Sequence, residues 1–146
     1  MIPQLDAPAL ARMITEVTQS IFGASFALVG DTMSSDSAWR TIGIRIYGPT
    51  PLLVALSADE SSATELSAAM FSCPQAEVDG AMIDDALGEI VNIVAGQMKV
   101  TLGVNHALGL PGVVTSHLAG LSQAAMLSVQ DRPGAIRVCL TVSEAA

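Results

Sequence analysis

Hydrophobic positions along this chain change their period several times, and each change marks an element. Leu10, Met13, Ile14, Val17 and Ile21 recur at helical spacing behind Asp6 and Pro8, which predicts a helix over about residues 7–22 closed by Gly23. "SFALVG" reads as a short strand and "DTMSSDS" (31–37) as a polar, turn-rich loop. Ile42, Ile44 and Ile46 then alternate with Gly43, Arg45 and Tyr47, the period of a strand buried on one face. "GPTP" interrupts that strand and "LLVALS" resumes it, so the pair predicts a hairpin. Ser62 stands three residues before Glu65, a capping-box spacing. It opens a helix whose apolar face is Leu66, Ala69 and Met70 and which stops before Pro74.

A long helix follows over roughly Asp79 to Leu102, and three strands close the chain: "LGLPGVVTS", "AAMLSVQ" and "AIRVCLTVS". In the last, Ile136, Val138, Leu140 and Val142 alternate with Arg137, Cys139 and Thr141, and "DRPG" (131–134) reads as the turn before it. The order is helix, three strands, helix, then long helix and three strands, so an αβββ unit is used twice, which suggests an ancient duplication. The expected architecture is a single α+β domain over 1–146: two layers, with long helices on a mostly antiparallel sheet of about six strands.

The long helix sorts its side chains. At about 100° per residue, Glu89, Asn92, Gly96 and Lys99 fall within roughly 40° of Asp85, and Gly88 falls roughly 60° away. Ile83, Ala86, Leu87, Ile90, Val91, Val94 and Met98 take the opposite side, with Gln97 inside that apolar arc. A row of Asp85, Glu89 and Asn92 is what any solvated helix face could carry. The two glycines are harder to place, because each costs a helix interior about 1 kcal/mol relative to Ala. Without side chains there, a partner's backbone can come close to a protruding Asn92; close packing within the fold is the other use.

Composition narrows the chemistry. Hydrophobic residues are 51% and charged residues 14% of the 146 positions, enough apolar content for a folded core. The longest apolar runs fall short of a membrane span, and the first dozen residues make a poor secretion signal, so a cytoplasmic location is expected. A net charge of −8 opposes non-specific nucleic-acid binding. Cys73 and Cys139 form no C-x-x-C pair and read as two buried free thiols. His106 and His117 have no third ligand at metal spacing, "GLPGV" lacks the strand–loop–helix setting of a nucleotide site, and Ser116-His117 has no acid assigned to it, so neither a metal site nor a triad is expected.

Asp85-Ala-Leu-Gly-Glu89-Ile-Val-Asn92 resembles the helix signature of the CheC, CheX and FliY chemotaxis phosphatases, an acidic or Ser residue, three residues, Glu, two residues, Asn. "TIGIRIYGPTPLLVALS", "ATELSAAMF" and "LGLPGVV" extend the similarity to the CheX branch, from about residue 8 to 142. The resemblance implies hydrolysis of the aspartyl-phosphate of a CheY-type response regulator. Glu89 would pair with the regulator's lysine, and Asn92 would orient the attacking water. Asp85, Gly88, Gly96 and Lys99 would support the partner contact. It implies Mg²⁺ on the partner regulator, no cofactor on this chain, and a homodimer. Glu16 and Gln19 form an E-x-x-Q on the first helix where a second motif would sit, read as a lapsed copy or as solvent face. A non-catalytic module that only binds a regulator is the competing reading.

Overall fold

The computed structural model describes residues 3–23, 26–30, 39–114, 121–129 and 136–144. Helix α1 (Ala7–Phe22) starts because Asp6 Oδ1 accepts from the Ala9 N–H at 2.9 Å, and it ends at Gly23 in the left-handed conformation, φ 69°. Strands β1 (Phe26–Gly30), β2 (Trp39–Ile46) and β3 (Leu52–Asp59) follow, then α2 (Glu60–Phe71) and α3 (Gly80–Leu102). Strands β4 (Gly112–Val113), β5 (Leu121–Val129) and β6 (Arg137–Glu144) complete the described elements. The polar loop expected at 31–37, the turn at 131–134 and Ser116-His117 lie outside the described residues.

The strands form one sheet in the order β1-β5-β6-β3-β2-β4, with every neighbouring pair antiparallel. Exchanging β1 with β4, β2 with β5 and β3 with β6 reverses this order and leaves it otherwise unchanged. Helix placement obeys the same exchange: α1 packs on β1, β5 and β6, and α3 on β4, β2 and β3. The equivalence is one of arrangement. β4 has two residues against five in β1, and α2 belongs to one half only. The core lies between helices and sheet, where Leu10, Ile14, Ile42, Ile44, Leu56, Leu66, Leu87, Ile90, Met98 and Leu140 are fully buried.

Four sequence expectations change. Helix α2 is capped three residues before Ser62: Asp59 Oδ1 accepts from the Ser62 N–H at 2.8 Å, while Ser62 is buried and its Oγ accepts from the Arg137 N–H. A carboxylate at the strand end thus takes the role assigned to the capping box. The inner face of α2 is Ala63, Leu66, Ser67 and Ala68, with Ala69 exposed. The strand expected from "LGLPGVVTS" shrinks to Gly112–Val113 plus one bridge from Leu108 to Ile46, because Pro111 has no N–H to give to a ladder. In β6 the second face is buried too: Cys139, Thr141 and Ser143 are small, and β6 sits between β3 and β5 in mid-sheet.

Candidate functional site

Helix α3 is held at both ends. Asp79 Oδ1 accepts from the Met82 N–H at 2.9 Å, and Gly103, φ 68°, turns the chain so that its N–H meets the Lys99 and Val100 carbonyls. Between the caps one side is anchored by Ile83, Leu87, Ile90, Val91, Val94 and Met98, all buried. That anchoring fixes the rotation of the helix and leaves Asp85, Glu89 and Asn92 exposed in a row. Gln97, out of place in the apolar arc, is half-buried with its Oε1 unpartnered.

The row does not face open solvent alone. It forms one wall of a groove of about 580 Å³, and the opposite wall is the segment 109–113 with Ile42 behind it. That segment is pinned to the sheet. Gly109 N–H donates to the Arg45 carbonyl at 2.8 Å, Val113 and Gly112 pair with Ile42 and Gly43, and Val114 N–H donates to the Thr41 carbonyl at 2.9 Å. Leu110, at 92% exposed, crests this wall, and Val113 is 54% exposed.

The two helix glycines separate here. Gly88 is buried, and a Cβ on it would lie 3.3 Å from Pro111 Cβ, so its role is close packing against the chain's own loop. The partner-approach explanation for Gly88 is therefore corrected. At Gly96 a Cβ would meet nothing within 4 Å, and the fold gives no packing reason for it. Gly96 and Lys99 are half-buried and lie beyond the groove lining, toward the C-terminal end of α3. Lys99 sits in the last turn, where a cation complements the helix dipole.

Two participants were not singled out in the sequence. Arg40 on β2 pairs with Asp84, which also lines the groove. The hydrogen bond to Asp84, opposed by partial desolvation and aided by the carboxylate's charge, raises the Arg40 pKa above its ordinary value. Asp84 is thereby engaged within the fold, whereas Asp85 and Glu89 remain on the exposed edge. The acidic doublet in "IDDALGE" and an arginine just ahead of the Ile42–Ile46 alternation were the only signals, and nothing in periodicity connects residues 44 apart. The loop 109–113 was quoted for its resemblance but not as a wall of the site.

Elsewhere, Glu16 and Gln19 are exposed on α1. Cys139 is buried, and burial pushes its thiol up to about 11; Cys73 is only half-buried, which corrects the expectation of two buried thiols. Among the described residues no group of three His, Cys, Asp or Glu could hold a metal ion, and no helix is long and apolar enough to cross a membrane.

The arrangement therefore offers an exposed amide and two exposed carboxylates on an anchored helix, facing an apolar wall across an open groove. A family model described as "Chemotaxis phosphatase CheX" matches residues 41–129, a span that contains the whole groove. No curated protein matches the chain. Solved structures share its fold, three of them as follows. One is a chemotaxis protein CheX from Desulfovibrio desulfuricans, 15% identical, with TM-score 0.70 and coverage of 95% of this chain and 98% of that one. A CheC-like superfamily protein from Shewanella sp. PV-4 is 14% identical with TM-score 0.73 over the full length of both. A chain of the CheX–CheY–BeF3–Mg complex from Borrelia burgdorferi is 12% identical with TM-score 0.70, covering 97% and 99%.

Proposed function

Because the chain belongs to the chemotaxis phosphatase CheX family, we propose that it hydrolyses the aspartyl-phosphate of a CheY-type response regulator. The observation that carries this reading is the exposed row Asp85, Glu89 and Asn92 lining an open groove on a rigidly anchored helix. Glu89 pairs with the regulator's lysine, and Asn92 enters the phosphorylation site.

The chemistry asks little of this chain. An acyl phosphate is already activated, and the regulator brings its own Mg²⁺, lysine and leaving group. An amide can accept from a water through Oδ1 while donating through Nδ2, so it can fix that water in line with phosphorus. The water oxygen bonds to phosphorus, and the bond from phosphorus to the aspartyl oxygen breaks. The electron pair stays on the regulator's carboxylate, and the water's protons pass to phosphate and solvent. No general base is needed. Positioning of this kind supplies on the order of 10²-fold, about 3 kcal/mol. Asp85, one turn before Glu89, adds negative potential toward the incoming lysine. Gly96 leaves room along the helix for the partner's backbone, and Lys99 marks the far end of the contact. By analogy with the family we also propose a homodimer, working in chemotaxis or a related two-component pathway of the cytoplasm.

The test is the decay of radiolabelled phospho-regulators from the same cell with and without the protein. Acceleration that Asn92→Ala abolishes, with binding retained, is the expected result. Binding with unchanged decay for every regulator would leave a non-catalytic module.

A further inference from the structure

The groove has two unlike walls, and the phosphatase reading uses only one. Asp85, Glu89 and Asn92 stand on the helix side; the segment 109–113 carries no charge at all. An exposed leucine is ordinary when it stands alone on a surface. Leu110 does not. It lies across the groove from the acids, with exposed Val113 and Pro111 beside it. Its loop is also immobilised on both sides of the crest, by the Gly109–Arg45 and Val114–Thr41 hydrogen bonds and by Pro111 seated against Gly88. A pre-ordered apolar contact loses little conformational freedom on binding, so most of its burial reaches the affinity.

We propose that Leu110, supported by Pro111 and Val113, is the specificity-determining apolar contact of this site, receiving an apolar side chain that the partner regulator presents close to its lysine. The inference rests on the phosphatase reading. It is argued from complementarity: an occupant that satisfies both walls must place a cation toward Asp85 and Glu89 and an apolar group toward Leu110. A receiver surface carrying a lysine meets the first condition, and Leu110 sets the second. Polyanions are excluded by the same acids. Helix α3 would then supply the chemistry, while the loop after it selects among regulators that share the same phosphorylation site.

The experiment titrates beryllofluoride-activated regulators against wild type, Leu110→Ala, Leu110→Glu and Asn92→Ala, alongside multiple-turnover decay assays. Leu110→Ala should raise Kd and KM about tenfold and Leu110→Glu further, with kcat unchanged. Melting curves should coincide with wild type, since an exposed side chain is removed. Asn92→Ala should give the opposite split, losing rate and keeping affinity. Wild-type activity with Kd unaffected by either Leu110 variant overturns this inference alone. So does a Leu110→Glu effect confined to self-association, which would make a second copy of the chain the occupant. A wild type that neither binds nor dephosphorylates any regulator overturns the phosphatase reading and this inference together.

Discussion

Gly88 and Gly96 sit two turns apart on one helix, and their substitution by alanine separates two forces. Each change gains about 1 kcal/mol of intrinsic helix preference. At Gly96 nothing opposes the gain, because the new Cβ meets open space. At Gly88 the Cβ arrives 3.3 Å from Pro111 Cβ, so the loop must give by a few tenths of an ångström. That loop is tied to β2 through Gly112, Val113 and Val114, and moving it strains the edge of the sheet. Overpacking of this kind costs roughly 1–3 kcal/mol, enough to cancel or reverse the helix gain. Gly96→Ala should therefore raise Tm by about 3 °C, and Gly88→Ala should be at least about 1 kcal/mol less stable than Gly96→Ala. Urea titrations followed by circular dichroism at 222 nm read both. A double-mutant cycle with Pro111→Gly assigns the difference, since removing the proline ring should restore the gain at Gly88. Equal stabilisation by the two alanines, or a cycle with no coupling, would refute the packing account of Gly88. The same Gly96→Ala protein, stabler than wild type, should bind the regulator more weakly if a partner's backbone passes over that position.

Other outcomes follow from the same structure. Glu89→Gln should weaken regulator binding, read by titration, and slow dephosphorylation, and wild-type acceleration should fall with rising salt as the proposed Glu89–lysine pair is screened, both read from phosphate release. Burial disfavours ionising Asp59, but hydrogen bonds from Ser62 and the charge of Arg137 outweigh it and hold the carboxyl below its ordinary value. Its stabilising contribution is thus full above the unfolded pKa and lost as pH falls through the lower folded one. Asp59→Ala should cost about 1 kcal/mol at pH 7, and the gap to wild type should narrow below roughly pH 4 in denaturant titrations. A thiol reagent at pH 8 should modify Cys73 promptly and Cys139 only on unfolding, because burial keeps the latter protonated.

Helix α3 and its polar row could be read from the chain because the signal is local, a period of 3.6 sustained from about Asp79 to Leu102. The same holds for α1 and for the alternation in β2. What escaped were the individual side-chain contacts that join distant elements. Arg40 reaches Asp84, Gly88 receives Pro111, and Ser62 accepts from Arg137 across 75 positions. A periodicity argument sees an unexplained glycine in a helix and an unexplained proline in a loop, and only the fold shows them to be the two halves of one contact. The cap of α2 was misplaced for a related reason. Asp59 ends a strand and starts a helix in the same residue, so the strand pattern concealed it.

The reversal symmetry of the sheet has a consequence for α1. Swapping the halves carries α3 onto α1, so the outer face of α1 occupies the position that α3 uses for its acid and amide. Glu16 and Gln19 are exposed there at the motif's spacing, one methylene from a matching pair. A single replacement, Gln19→Asn, would write the same three-residue interval onto the second helix. On the proposed function, the number of acting helices in this scaffold would then differ by one side chain, with the sheet beneath unchanged.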